Sequence, residues 1–218
     1  MESRKYAVDG SELEPRRADS RAIIDEFRKG LSQGQALRAF VALEGLRSLH
    51  ASLERRGRTA FQALFVAYLK IHLPNNPFRI ASTRRYLRRD EACIVATHRI
   101  EPGEAIQNLC GRRLPLSDAE LEALVKAQKD FSVLGETLFC PQSLLAGPVR
   151  LLNHSCHPNA ELRAMGERFD VTVAARGRID EGEEITIDYG SEYFGSGNED
   201  CLCGPCRQRV AVGEGCIL

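Results

Sequence analysis

Three cysteines fall within six residues, Cys201-Leu202-Cys203-Gly204-Pro205-Cys206, and no other feature of the chain limits its fold as sharply. A kink at Gly204-Pro205 lets the three sulfurs face one ion, and tetrahedral zinc then demands a fourth ligand. Cys216 is nearest in sequence, whereas Cys156 sits in a polar motif of its own; spacing alone leaves both open. A closed four-ligand site has no position for water, so it is structural, and its binding free energy helps order the C-terminal tail. The bland alternative is three reduced thiols with no metal. The start, Met1-Glu2-Ser3-Arg4-Lys5, lacks the apolar run of a secretory signal. The eight cysteines are therefore expected in a reducing compartment, as metal ligands and buried thiols rather than a disulfide framework.

With 218 residues and 43% hydrophobic composition the chain can bury a core, which excludes disordered and fibrous classes. No stretch approaches the roughly 20 apolar residues of a membrane span, so a soluble protein with no membrane partner is expected. Charge is divided unevenly. Residues 1–90 hold 18 Lys and Arg against 10 Asp and Glu, and residues 91–218 hold 12 against 20. An acidic second part suits a cationic peptide and a basic first part suits nucleic acid; two solvated faces of opposite sign are the plain alternative.

Residues 1–34 read as a partly ordered lead-in with one short helix around Ala22–Lys29. Residues 35–76 read as a helical region. Leu37, Phe40, Val41, Leu46, Leu49 and Leu53 recur at threes and fours up to Gly57, and Phe61, Leu64, Phe65, Tyr68 and Leu69 form a second stripe stopped by Pro74-Asn75-Asn76-Pro77. Both stripes are core packing. After Pro77 the period changes to two, with strands over Ala92–Ile100, Ile106–Leu109, Glu161–Ala164, Phe169–Ala174 and Glu184–Ile187. A helix from Ser117 to Gln128 opens on a Ser117/Glu120 capping box. The run Ala96-Thr97-His98-Arg99-Ile100-Glu101-Pro102-Gly103-Glu104-Ala105-Ile106 echoes in Ala175-Arg176-Gly177-Arg178-Ile179-Asp180-Glu181-Gly182-Glu183-Glu184-Ile185. Two copies do not make a solenoid. Many short strands with little alternating helix indicate a β-rich α+β fold.

Two further motifs carry chemistry. Asn153-His154-Ser155-Cys156-His157-Pro158-Asn159 crowds hydrogen-bonding side chains before a proline, which makes a tight loop. Taken alone, Cys156 and His154 suit a nucleophile and base, adjacent histidines suit a metal, and a turn satisfying its own backbone is the plain reading. Gly182-Glu183-Glu184-Ile185-Thr186-Ile187-Asp188-Tyr189-Gly190 ends a strand on a phenol, which is more often simply packed.

In this order the three motifs resemble a SET domain: its Asn-His-x-Cys-x-Pro-Asn signature, its Gly-Glu-Glu-(Ile/Leu)-Thr-x-x-Tyr signature, and the cysteine-rich post-SET tail. Finer features are similar to the suppressor-of-variegation four-twenty branch, which methylates lysine 20 of histone H4. They are Phe78-Arg79-Ile80 with Arg85-Tyr86, Glu91 to Ala96, Asp130-Phe131-Ser132-Val133, Gly147-Pro148, Tyr193-Phe194-Gly195 with Asn198-Glu199, and the helical run Phe65 to Lys70. The resemblance covers roughly residues 35–207. It implies an α+β, β-rich SET fold of short strands with a knot-like active site over residues 77–195. An N-terminal helical annex precedes it, and a zinc-binding post-SET tail follows over residues 196–218.

It further implies a histone-lysine methyltransferase that uses S-adenosyl-L-methionine, carries one structural zinc and works on a histone tail, H4, in nucleosomes, hence in the nucleus on chromatin. DNA would meet the basic N-terminal region. Through the resemblance Cys156 joins Cys201, Cys203 and Cys206 as zinc ligand and Cys216 is left out. Tyr86, Leu87, Arg88, Arg89, Ala92, Asn153, His154 and Leu202 are expected to hold the cofactor, and Tyr189 is the catalytic tyrosine. Ser132 lies beside the substrate lysine, where side-chain size limits the number of methyls, and Tyr193 and Phe194 wall the lysine channel. The chain departs from the family at Leu138, where an arginine contacts the cofactor, at Ser155, where Asp is common, and by one residue missing between Tyr86 and Ala92. These departures motivate two alternatives, a zinc-stabilised chromatin-binding module that has lost catalysis and a SET methyltransferase of a substrate other than H4. A cysteine hydrolase built on Cys156 is a third.

Overall fold

The computed structural model describes residues 14–44, 46–84, 91–127, 130, 132–135, 141–164, 170–191 and 193–211. The chain divides into two compact units, one spanning residues 7–76 and one holding residues 77–218.

The first unit is helical: α1 (Glu14–Arg28), α2 (Gln33–Ala42), α3 (Leu46–Ser52) and α4 (Arg55–Lys70). Ser32 caps α2 through a capping box with Gln35. Ile23 and Phe27 of α1 are buried with Ala36 of α2 and Leu69 of α4, and Phe40 stacks on Phe65 with centroids 3.9 Å apart. The structure corrects the sequence expectations in two places. The helix expected at Ala22–Lys29 begins at Glu14, and its apolar side packs into this unit. Gly57 does not end a helix but lies inside α4; the break comes at Glu54, whose ψ of 166° is extended. A single glycine costs a helix only about 1 kcal/mol, which tertiary packing overrides.

The second unit is built from short strands. In chain order these are β1 (Phe78–Thr83), β2 (Glu91–Ala96), β3 (Ala105–Pro115), β4 (Val133–Leu134), β5 (Ser143–Ala146), β6 (Asn153–His154), β7 (Ala160–Ala164), β8 (Asp170–Ala175) and β9 (Thr186–Ile187). Helix α5 (Asp118–Lys126) follows β3, a 3-10 turn (Pro148–Leu151) precedes β6, and α6 (Gly204–Ala211) closes the described chain. β1 and β2 form a hairpin pair, and a five-stranded antiparallel sheet runs in the order β4-β5-β3-β8-β7. β6 and β9 pair in parallel. Ser117 caps α5 with Glu120 as the sequence indicates. β3 is longer than the expected Ile106–Leu109. Its polar end is secured across the sheet, because Arg112 stands opposite Asp170 and grips it through two hydrogen bonds of 2.5 and 2.7 Å.

The echoed segments pack on one another about a local two-fold axis. Ile100 and Ile179 exchange backbone hydrogen bonds of 2.9 and 3.0 Å. Gly103 N–H donates to Ala175 and Gly182 N–H to Ala96, at 2.8 and 3.0 Å; Ala175 N–H donates to Glu104 and Ala96 N–H to Glu183, both at 2.9 Å. Each bond thus has a counterpart in the other copy. Ile100, Ile106, Ile179 and Ile185 are all essentially inaccessible, and each buried isoleucine contributes roughly 1.5–3 kcal/mol. The core of this unit sits at that axis, and the second copy feeds β9 and the motif that follows it.

Candidate active site and thiol cluster

The parallel pairing of β6 with β9 sets Asn153 opposite Thr186 and His154 opposite Ile187, so the Asn-His loop and the strand leading to Tyr189 lie side by side. Ser155 N–H extends the pair by donating to Ile187 at 3.0 Å. Asn153 is buried; its amide donates to the Glu184 carboxylate at 2.8 Å and to the Ala92 carbonyl at 3.2 Å, linking β6, the second echoed turn and β2. Asn159 secures the other end of the loop. Its amide donates to Glu184 O at 2.9 Å, and its Oδ1 accepts from Thr186 N–H at 2.9 Å.

His154 is almost wholly buried, and burial lowers its pKa while Asp188 works in the opposite direction. The ring is therefore neutral, with one N–H and one lone pair. Nδ1 accepts from Tyr189 N–H at 3.1 Å, so the hydrogen belongs on Nε2, which faces Cys156 Sγ at 3.3 Å. The imidazole fixes the Tyr189 backbone on one side and donates toward a sulfur on the other.

The Tyr189 hydroxyl donates to the Leu152 carbonyl. Around it stand Tyr193, edge-on at 4.8 Å, Phe194, parallel at 6.2 Å, and His154 at 5.5 Å between centroids. Tyr193 is 37% exposed, and burial together with the Asp130 carboxylate raises its pKa. Asn198 holds this wall. Fully buried at a left-handed φ of 56°, it donates to Gly190 O at 2.9 Å and accepts from Phe194 N–H at 3.0 Å. Cys201 N–H donates to the Asn198 carbonyl at 2.9 Å, so the same residue starts the cysteine tail.

Cys156 Sγ lies 3.8 Å from Cys201 Sγ and 3.4 Å from Cys206 Sγ. Cys203 Sγ accepts from Cys156 N–H at 3.5 Å. Burial pushes the Cys201 thiol up to about 12 and raises Cys156; at Cys203 burial is outweighed by backbone N–H donors from Cys156 and Cys206, and the thiol is lowered. Four sulfurs at about 2.3 Å from a tetrahedral zinc stand roughly 3.8 Å apart, and the Cys156–Cys201 separation matches that spacing. One grouping of donor atoms within 4.8 Å of one another comprises His154, Cys156, Cys201 and Cys203. Cys206 is disulfide-bonded, and in that form its sulfur is not a thiolate ligand.

The structure therefore brings Tyr189, Tyr193, Phe194, Asn153, His154, Ala92 and the cysteines 156, 201, 203 and 206 to one place. Leu202, between two of the cysteines, is 40% exposed. Ser132 is buried, accepting from Arg150 Nε at 3.2 Å. Tyr86, Leu87, Arg88, Arg89, Leu138 and Cys216 lie outside the described residues. Glu184, Asn198, Arg150 and Asp130 had no role assigned from sequence. Three of them, Glu184, Asn198 and Asp130, lie in runs that carry the motif resemblance, whereas Arg150 lies in none.

Comparison with known proteins agrees with this geometry. Residues 91–190 match the SET domain family. Histone-lysine N-methyltransferase SET9 of Phaeosphaeria nodorum is 36% identical over 82% of this chain and 27% of its own length. The corresponding SET9 of Chaetomium globosum is 38% identical over 79% of this chain and 24% of its own. The set9 of Schizosaccharomyces pombe is 34% identical over 88% of this chain and 44% of its own. The chain thus spans from about a quarter to under half of the length of these relatives. The match and the strand arrangement agree: residues 91–190 match a SET domain and lie within a fold of short, mostly antiparallel strands and helices.

Proposed function

We propose that the chain transfers methyl groups from S-adenosylmethionine to a lysine of a histone tail, with lysine 20 of histone H4 in nucleosomes as the target. The observation that carries the reaction class is the Tyr189 phenol, held on the Leu152 carbonyl beside Tyr193 and Phe194 and fixed through its backbone by His154. The three relatives are named histone-lysine N-methyltransferases, which supports a histone substrate; the finer motif resemblance supports H4.

A free lysine has a pKa of about 10.4, so supplying its neutral amine near neutral pH costs roughly 4 kcal/mol. When bound, the cofactor would supply a methyl carried on a cationic sulfur, whose charge favours the neutral form of a neighbouring amine. Tyr193 and Phe194 exclude water from the lysine stem and offer aromatic faces to a methylated ammonium. Tyr189 and the carbonyls around it orient the amine, a positioning role more than acid–base work. Ala92, Asn153, His154, Leu202 and residues 86–89 hold the cofactor. Cys156, Cys201, Cys203 and, once reduced, Cys206 hold a structural zinc; the Nε2–H of His154 then supports Cys156 from outside the ligand set. The basic residues of the first unit lie against nucleosomal DNA, and the protein acts in the nucleus. Among the described residues no helix is long and apolar enough to cross a membrane.

Mass spectrometry of recombinant nucleosomes incubated with the chain and cofactor tests this reading. Methyl additions on H4 lysine 20 are expected, and their absence from every histone overturns the reaction class. Additions confined to another histone lysine overturn only the choice of target. One zinc per reduced chain is expected by elemental analysis, with cofactor affinity lost on chelation. Because Leu138 replaces a cofactor-contacting arginine in the motif resemblance, a calorimetric titration without cofactor binding would point instead to a chromatin-binding module.

A further inference from the structure

Two candidates for a fourth metal ligand approach the same sulfur. Cys156, Cys201 and Cys203 are free thiols, and Cys206 is disulfide-bonded. Cys206 Sγ lies 3.4 Å from Cys156 Sγ, and His154 Nε2 lies 3.3 Å from that same atom. The donor atoms of His154, Cys156, Cys201 and Cys203 all lie within 4.8 Å of one another. A disulfide sulfur carries no thiolate charge, so while that bond stands the imidazole is the donor that completes four among the described residues. The opposite ring nitrogen, Nδ1, accepts from Tyr189 N–H at 3.1 Å and stands 3.7 Å from the Asp188 carboxylate. One imidazole therefore touches the thiol cluster, the backbone of Tyr189 and an acid.

We infer that His154 is the fourth ligand of a three-thiolate, one-imidazole zinc site while Cys206 is held in its disulfide, and that in taking that place it releases Tyr189. The second half rests on the proposed methyl transfer, in which His154 fixes the tyrosine; the first half does not. Zinc takes an imidazole nitrogen at about 2.0–2.1 Å and thiolate sulfurs at about 2.3 Å, which sets tetrahedral donors roughly 3.5–3.8 Å apart. His154 and Cys156 stand 3.3 Å apart here, and Cys156 and Cys201 3.8 Å. The three thiols give up their protons to solvent as the ion binds. A neutral imidazole has one lone pair and one N–H, so ligation at Nε2 obliges Nδ1 to carry the hydrogen. Nδ1–H cannot accept from Tyr189 N–H; it donates to the Asp188 carboxylate instead, as metal-bound imidazoles commonly do. A dithiol reductant reverses the exchange. It closes its own disulfide as that of Cys206 becomes two thiols, and Cys206 then loses its proton to solvent and enters the ligand set. His154 leaves with one proton lost from Nδ1 and one gained at Nε2, and its Nδ1 lone pair again takes the Tyr189 N–H.

The test follows zinc retention against a competing chelator in the full chain, wild type and His154→Ala, each prepared reduced and with the disulfide intact. Alkylation and mass spectrometry verify the disulfide. Both reduced proteins should hold zinc equally, since four cysteines suffice. The wild-type disulfide form should hold it too, whereas in His154→Ala the affinity of that form should fall about 100-fold or more, at or beyond the upper end for a lost supporting group. Nitrogen NMR of the wild type labelled with 15N-histidine is the second readout. His154 Nδ1 should carry the hydrogen in the zinc-loaded disulfide form and lack it after reduction. A wild-type disulfide form that holds no zinc, equal retention by His154→Ala in that form, or an Nδ1 without its hydrogen there overturns the inference. Should His154→Ala fail to fold, the wild-type nitrogen spectra decide. Methyl transfer to a histone should be about 10- to 100-fold slower in the disulfide form with zinc retained, the scale of a displaced site group. An equal rate in the two forms overturns the release of Tyr189. A chain that methylates no histone in either form fails the proposed function, while the zinc and nitrogen results still decide the ligand set.

Discussion

The two echoed segments, 96–106 and 175–185, adopt the same turn, exchange the same backbone hydrogen bonds and bury equivalent isoleucines, yet only the second leads to the site. The first runs on into the eleven-residue β3, the centre of the five-stranded sheet. The second runs on into the two-residue β9, which stops short beside β6 and leaves Tyr189 at its end. When the copies are aligned, Cys110 of β3 occupies the place of Tyr189. A repeated local structure therefore supplies the support in both copies, and chemistry depends on where each following strand stops. Long pairing buries a side chain within a sheet, whereas an early stop releases the chain into a loop where a phenol can be aimed.

The comparison can be broken most strongly at Tyr189. Replacing it with Phe should lower methyl transfer about 10²- to 10³-fold, the scale on which one oriented polar group at a reacting centre acts. Cys110→Ser at the aligned position should leave the rate within about twofold and alter thermal stability alone. Next comes Asn159, which serves only the second copy. Asn159→Ala leaves the Thr186 N–H without its acceptor and should cost about 1–3 kcal/mol in chemical denaturation, with lowered activity. A matched pair sharpens the symmetry further. Gly103 and Gly182 share a φ of +82° in open space, so Ala at either should cost a similar roughly 1–2 kcal/mol of backbone strain. Only Gly182→Ala should also slow methyl transfer. The smallest effect is at the surface, where the aligned Arg99 and Arg178 both reach Asp180 at 3.3 Å. Ala at either should change stability by under about 1 kcal/mol, and less in high salt.

The contrast also explains what the sequence made legible. Local signals translated directly: the Ser117/Glu120 box caps α5, and the glycine turns of the echo fall where their spacing indicates. Motif order singled out Tyr189, Asn153 and His154, which the parallel strand pair brings side by side, and Cys156, whose sulfur lies beside those of the tail cysteines. Features that depend on distant partners were hidden. The length of β3 depends on Asp170 meeting Arg112 across 58 residues. The hydrogen bond from Arg150 to Ser132 likewise joins residues 18 apart that no local pattern connects. The α4 start at Glu54–Arg55 was misplaced at Gly57 because a propensity rule was applied where packing governs.

Asn198 gives the molecule a shared hinge pin between its sulfur-bearing tail and its aromatic wall, since one buried amide serves Gly190 and Phe194 while the adjoining carbonyl takes the first cysteine. Loosening the tail should therefore be felt first at Tyr193 and Phe194, well before the five-stranded sheet melts. The channel would lose its shape in a protein that is still folded, so activity and global stability should part company under mild oxidation or chelation.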